Sequence, residues 1–346
     1  MAGLFDLEFH EKKIKEYQPT LAKLDLVIDW EMFRETIEKA LYVEPKGAGG
    51  RPPFDKIMMF KILILQKYYN LSDEQTEFQI NDRTSFKQFL GLKIGDTIPD
   101  EKTIWHFKEQ LANKDLSKSL FEMFAVALMD KGIIAKEGSI VDATFVDVPK
   151  QRNSKEDNAD IKKGAVPLKF GKKDKNGKQS KLCQKDTDAR WMTKSGEKHF
   201  GFKDHINADE KTKLITKYSV TSAAPHDSTE IENIVDETDN RLHADSAYRS
   251  KEIEEHLEAI ECESFVHEKG YRGSPLTEQQ KESNNKKSKI RARVEHIFGF
   301  MTNSMNNALY MRSIGIKRIK ESIGLLNLTY NLFRFEQLIR LEKVKI

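Results

Sequence analysis

Three carboxylates stand where an ionised side chain is hard to accommodate. Asp142 interrupts the apolar, β-branched run "GSIVDATFVDV", and Asp245 closes a short run in "LHADSAYRS", 103 residues further on. A buried carboxylate is costly unless it is paired or binds a cation. Two adjacent strands that each carry one could hold a hard cation between them. Mg2+ suits such a pair, because it takes oxygen ligands from one or two carboxylates and leaves the remaining positions to water and phosphate. A third acid can come from a helix beside the strands. In "KIRARVEHIFGFM", Ile290, Val294, Ile297 and Met301 form an apolar stripe with Glu295 at its edge. Arg291 lies one turn earlier, where it can reach a phosphate or orient the acid. Each acid taken singly also fits a plain role, as a hydrogen-bonded strand-end residue or a solvated helix residue. Together they suit metal-assisted phosphoryl transfer.

Other polar residues could assist. His199, Lys203 and His205 alternate along "HFGFKDHINAD" and so share a face, which points either towards DNA or the active centre or to ordinary polar surface. Lys289, Arg291 and Arg293 belong to the basic run "NNKKSKIRAR". Together with Lys203, His205 and Arg249 they are the candidate phosphate contacts. Trp191 can stack on a base or pack in the core, and His226 suits a turn before a helix.

The elements that must position these groups fall into two parts. Residues 1–135 read as an all-helical domain. "DWEMFRETIEKAL" places Trp30, Phe33, Ile37 and Leu41 on one stripe, and "PFDKIMMFKILILQKYYN" is a long apolar helix that starts near Pro53 and ends near Asn70. Ser72 with Gln75, and Asp100 with Thr103, mark two further helix starts. The last helix of this part ends at Gly132. Residues 136–346 change period: a strand at 138–148, a hairpin pair, a helix over "STEIENIVDETD", a strand from Leu242 to Asp245, a helix, a strand over "CESFVHE", then long helices. That order predicts an α/β fold with a mixed sheet and flanking helices. A polar insertion of about fifty residues, 149–198, interrupts it. Its Gly171, Lys172, Lys173 and Gly177 suit either a flexible arm on a phosphate backbone or a plain surface excursion.

Composition narrows the classes. The chain has 346 residues and a net charge of +3, enough for two domains and only mildly basic. Its Lys and Arg concentrate in the insertion and in "NNKKSKIRAR", and such local clusters attract polyanions. Two cysteines form neither a disulfide framework nor a zinc knuckle. The first residues hold acids and no long apolar core, so a cytoplasmic location is expected.

The set "GSIVDATFVDVP", "DTDARWMTKSGEKHFGFKDHINAD", "LHADSAYRS" and "NNKKSKIRARVEHIFGFM" resembles the DDE transposases of bacterial insertion sequences, in particular the IS-five-type group. The helical start, with "DWEMFRETI" and "RPPFDKIMMFKILILQ", is similar to that group's N-terminal domain. The resemblance implies a ribonuclease-H-like catalytic domain over 136–346 whose acids are Asp142, Asp245 and Glu295. It implies a DNA-binding role for 1–135, and two Mg2+ ions with Mn2+ able to substitute. Asp142 would then bridge both ions, with Asp245 on one and Glu295 on the other. The implied reaction is cleavage at transposon ends and strand transfer into target DNA. The implied assembly is a homodimer or larger synaptic multimer near the nucleoid. A transposase-derived DNA-binding protein and a metal-dependent nuclease are the alternatives. In the family signature around the third acid, Arg291 and Glu295 match, while the tyrosine and lysine places hold Ser288 and Thr302.

Overall fold

The computed structural model describes residues 6–17, 19–44, 52–167, 169–173, 179–181, 183–194, 196–271 and 273–344. The helical part comprises α1 (Asp6–Glu16), α2 (Thr20–Val27), a 3-10 turn (Trp30–Phe33), α3 (Arg34–Ala40), α4 (Lys56–Tyr69), α5 (Asp73–Asp82), α6 (Thr84–Leu90), α7 (Glu101–Asn113) and α8 (Leu116–Asp130). Trp30, Phe33, Ile37 and Leu41 are all buried, as their stripe predicts. The Ser72 capping box and the Asp100 cap both form. The long apolar helix starts later than Pro53 suggests. Asp55 caps it by accepting from Met58 N at 2.8 Å, because a carboxylate satisfies a free first-turn N–H and Pro53 cannot cap. Asn70 ends it in the left-handed conformation.

The second part is built on β1 (Ser139–Asp147), β4 (Arg190–Lys194), β5 (Glu197–Asp209), β6 (Ile215–Ser222), β7 (Arg241–His243) and β8 (Glu263–Ser264). The sheet runs β4, β5, β1, β7, β8, with β6 on the same edge of β5 as β4. β1 pairs antiparallel with β5 and parallel with β7, and β7 pairs parallel with β8. A central first strand, with an antiparallel meander on one side and short parallel strands on the other, is the expected ribonuclease-H-like mixed sheet. Around it lie α10 (Ile231–Ile234), α11 (Lys251–Ala259), α12 (Glu278–Arg291), α13 (Val294–Gly299) and α14 (Ile316–Arg340).

Four expectations need correction. The strand expected to reach Asp245 stops at His243, and Asp245 instead caps a 3-10 turn, Ser246–Tyr248. The helix over "STEIENIVDETD" is a 3-10 turn followed by the four residues of α10, because Val235 turns extended. The single helix expected through Arg291 and Glu295 is interrupted at Ala292–Arg293, between α12 and α13. The insertion carries α9 (Lys155–Lys162) and a small hairpin of β2 (Gly171–Lys173) with β3 (Gln179–Lys181), so 171–173 is paired strand; Gly177 lies outside the described residues.

α14 joins the two parts. It packs on α2, α4, α7 and α8 as well as on β6, and one apolar core runs from Leu21 in α2 to Leu338 in α14. Its polar residues fasten it to the β5–β6 hairpin: Asn331 accepts from Ile215 N and donates to Ile215 O, both at 2.8 Å. The insertion supplies its N-terminal cap, with Asp186 accepting from Gly315 N and Asp188 from Ile316 N, each at 2.9 Å. No helix among the described residues is long and apolar enough to cross a membrane.

Burial in this core has a titration consequence. Asp204 is fully buried against Asn327 Nδ2 at 3.1 Å, and burial pushes its carboxyl up to about 7. Between about pH 4 and 7 the folded chain keeps a proton there that the unfolded chain has lost. Stability therefore falls as pH rises through that window and levels off above it. We expect Asp204→Asn to add about 2–4 kcal/mol at alkaline pH and to flatten this decline. Urea unfolding midpoints measured on either side of the window check it, and an unchanged pH profile would count against it.

Candidate active site

The register of β1 and β7 sets the geometry. Ser139 pairs with Leu242 and Ile140 with His243, so Asp142, two residues further along β1, and Asp245, two residues past the end of β7, lie at the same end of the two strands, near enough for the charge of Asp245 to act on Asp142. Each carboxylate is steadied by its own backbone. Asp142 Oδ1 accepts from Ala143 N at 2.8 Å, and Asp245 Oδ1 accepts from Ala247 N at 2.7 Å. The small Ala244, Ser246 and Ala247 leave the turn free of bulky side chains at this point.

Asp142 is 8% exposed. Burial pushes its carboxyl up to about 6, the nearby charge of Asp245 acts in the same direction, and Arg291 and Lys194 oppose it. Arg291 bridges two of the acids, with Nη2 3.6 Å from Asp142 Oδ2 and Nη1 3.5 Å from Glu295 Oε1. Glu295, on α13, keeps 63% of its side chain exposed.

Asp142 and Asp245 thus bring two carboxylates near each other, the oxygen-donor chemistry that a hard cation takes. Among the described residues no three acidic, histidine or cysteine side chains are close enough to hold one ion. Arg291 lies between Asp142 and Glu295, so the structure brings two of the three acids together and links the third through a guanidinium.

Three neighbours complete the surroundings, of which His267 and Lys194 escape sequence reasoning. Tyr248 is 1% exposed with its hydroxyl unpartnered, and its phenol is raised by burial and then by Asp142, Asp227 and Asp245. His267, from the loop after β8, has Nε2 3.3 Å from Ser288 Oγ. Its imidazole is lowered by burial and by Arg291, against an opposing effect of Asp245, so Ser288 faces a histidine beside the acids. Lys194, at the end of β4, lies near enough to act on Asp142. His267 and Lys194 come from chain segments distant from both aspartates, whereas Tyr248 follows Asp245 by three residues and reads from the sequence as a helix-entry or phosphate contact.

The expected phosphate contacts divide. Lys289 is exposed on α12. Arg293 donates to Glu210 O at 2.7 Å, a neutral acceptor that leaves its charge available. Arg249 is held by Glu254 at 3.1 Å and Glu268 at 3.4 Å. Lys203 is 3% exposed, its ammonium 2.7 Å from Asp227 Oδ1 and 2.6 Å from Pro225 O. His205 is wholly buried, with Nε2 2.9 Å from Thr221 Oγ1, and burial lowers its imidazole to about 4, so it is neutral at neutral pH. Lys203 and His205 do share a face, but that face is inside the protein and not on a DNA-facing surface. His199 stacks on Phe145 at 4.0 Å. Thr302 Oγ1 donates to Phe298 O at 3.0 Å, within its own helical turn.

Comparison with known families agrees with this architecture. Residues 8–110 match the transposase domain family DUF772, and residues 134–332 match the transposase DDE domain family. No solved structure matches the chain. The second match spans the sheet, the carboxylates and most of α14, more than half of the sequence, and the chain belongs to the DDE transposase family.

Proposed function

We propose that this transposase cuts DNA at the ends of its element and joins those ends to target DNA, using Asp142, Asp245 and Glu295. The observation that supports the reading is the parallel β1–β7 pairing, with Asp142 and Asp245 following at the same end of the two strands and Arg291 Nη2 3.6 Å from Asp142 Oδ2. DDE transposases generally use divalent metal ions. We take Mg2+ to be the ion here, held first by Asp142 and Asp245. When bound, it supplies Lewis-acid polarisation of phosphate and an activated hydroxyl nucleophile.

The protein's own groups do the rest. The Ala143 and Ala247 amides hold one oxygen of each aspartate, and the other oxygen of Asp142 faces Arg291. Arg291 offers a planar, permanent cation to a DNA phosphate. Exchanging its carboxylates for that phosphate would free Glu295 to join the other acids. Because two ends must be held together, we expect a dimer or larger assembly, with the helices of 1–135 contributing to DNA binding.

Incubating the full chain with Mg2+ and a supercoiled plasmid bearing the element's flanking sequences tests this. Excised and joined products are expected. Cutting without joining of pre-cleaved ends would leave a nuclease, and binding without cutting would leave a DNA-binding protein.

The unpartnered Tyr248 hydroxyl gives a sharper test. If DNA binding opens the site to this buried hydroxyl, a bond to phosphate would contribute about 1.5–3 kcal/mol, so Tyr248→Phe should slow cleavage roughly tenfold to a hundredfold. The melting temperature should not fall, since an unsatisfied buried hydroxyl is being removed. A lower melting temperature at unchanged rate would make Tyr248 a packing residue only.

A further inference from the structure

We propose that the cleft between the tip of the β5–β6 hairpin, α13 and the C-terminal end of α14 binds the DNA backbone of the duplex flanking the bond being cut. The proposal rests on the assignment of Asp142, Asp245 and Glu295 to the cutting centre.

The cleft encloses about 1020 Å³, and Lys211, Lys213, Arg293, Arg334 and Lys343 line it, with Glu295 as the one acid. Two of the cations are held in place without being neutralised. Arg293 donates to Glu210 O and Arg334 to Thr212 O, both at 2.7 Å, and carbonyl acceptors leave the guanidinium charge uncompensated. The hairpin tip is anchored from below, because Tyr330 donates to Lys213 O at 2.8 Å. Lys213 itself sits at φ +62°, the residue on which the turn reverses.

Like charges are therefore gathered and fastened. Lys211 has an acid partner, Glu137; among the described residues Lys213 and Lys343 have none. Partial burial, then Arg334, Arg293 and Lys343, lower the Lys213 ammonium, with no acid acting against them. Such mutual repulsion is unfavourable in the free protein and is relieved by a polyanion.

Position selects the polyanion. Glu295 lines this cleft and also faces Arg291, whose other guanidinium nitrogen faces Asp142. A backbone that crosses the carboxylates thus runs on into the cations. A single anion would meet only some of these five cations, whereas successive phosphates can meet them in turn.

The test measures binding of a fluorescein-labelled duplex of arbitrary sequence to the full chain across a salt series, since the phosphate contribution is independent of sequence. Lys213→Glu combined with Lys343→Glu should weaken binding more than about tenfold and reduce the slope of log affinity against log salt by about 1.8. The single neutral variants Lys213→Gln and Lys343→Gln, which perturb the fold least, should each reduce it by about 0.9. Unchanged affinity and slope in these variants would overturn the proposal. So would an unchanged slope with a shift in oligomeric state, which would mean that the cleft seats an acidic part of a second copy. Asp245→Asn serves as the parallel control: if it still cuts, the carboxylate assignment fails while the salt slopes still decide the cleft.

Discussion

Asp245→Asn is expected to remove cleavage and joining together while leaving the fold and DNA affinity intact. Asparagine caps a turn as well as aspartate, so it can keep the bond from Ala247 N that Asp245 accepts at 2.7 Å. What it loses is the charge beside Asp142. A loss on the order of 10³-fold or more is expected, above the roughly 10²-fold typical of a residue that only orients a ligand. Asp142→Asn and Glu295→Gln should behave alike, and Asp142→Asn relieves the burial that raises its carboxyl. Cleavage of the donor plasmid by Asp245→Asn at the wild-type rate in Mg2+ would sink the carboxylate assignment.

The second large effect is on stability. Lys203→Ala leaves Asp227, only 14% exposed, without its partner at 2.7 Å. Breaking such a pair from one side costs about 3 kcal/mol. The lower end of the usual range applies because Lys194 Nζ stands 4.0 Å from the same carboxylate. Replacing both partners, as Lys203→Met with Asp227→Leu, should restore most of that loss. Urea midpoints read the stability, and DNA affinity of the folded fraction should not move. Unchanged stability with weakened DNA binding would make Lys203 a phosphate contact after all.

These two residues show what the sequence could reveal. Asp142 and Asp245 were legible because a charge inside an apolar run needs a reason, and Glu295 because it borders an apolar helical stripe. The order of strands and helices then sufficed for the mixed sheet. Lys203 and His205 were legible as sharing a face, but period-two alternation does not say which faces are covered, and β5 from Phe200 onward is buried on both. The interruption after Arg291 carries no proline or glycine and so left no mark. His267 and Lys194 gather around the acids only through tertiary contacts, which local pattern does not encode.

The sharing of α14 by both parts bears on how copies of such a gene decay. A reading frame broken before Gly315 encodes helices and sheet alike without the strip on which α2, α4, α8 and β6 all rest. It also leaves Asp186 and Asp188 with nothing to cap. A break at that one place therefore takes packing from the helical part and from the sheet together, because both rest on the same helix.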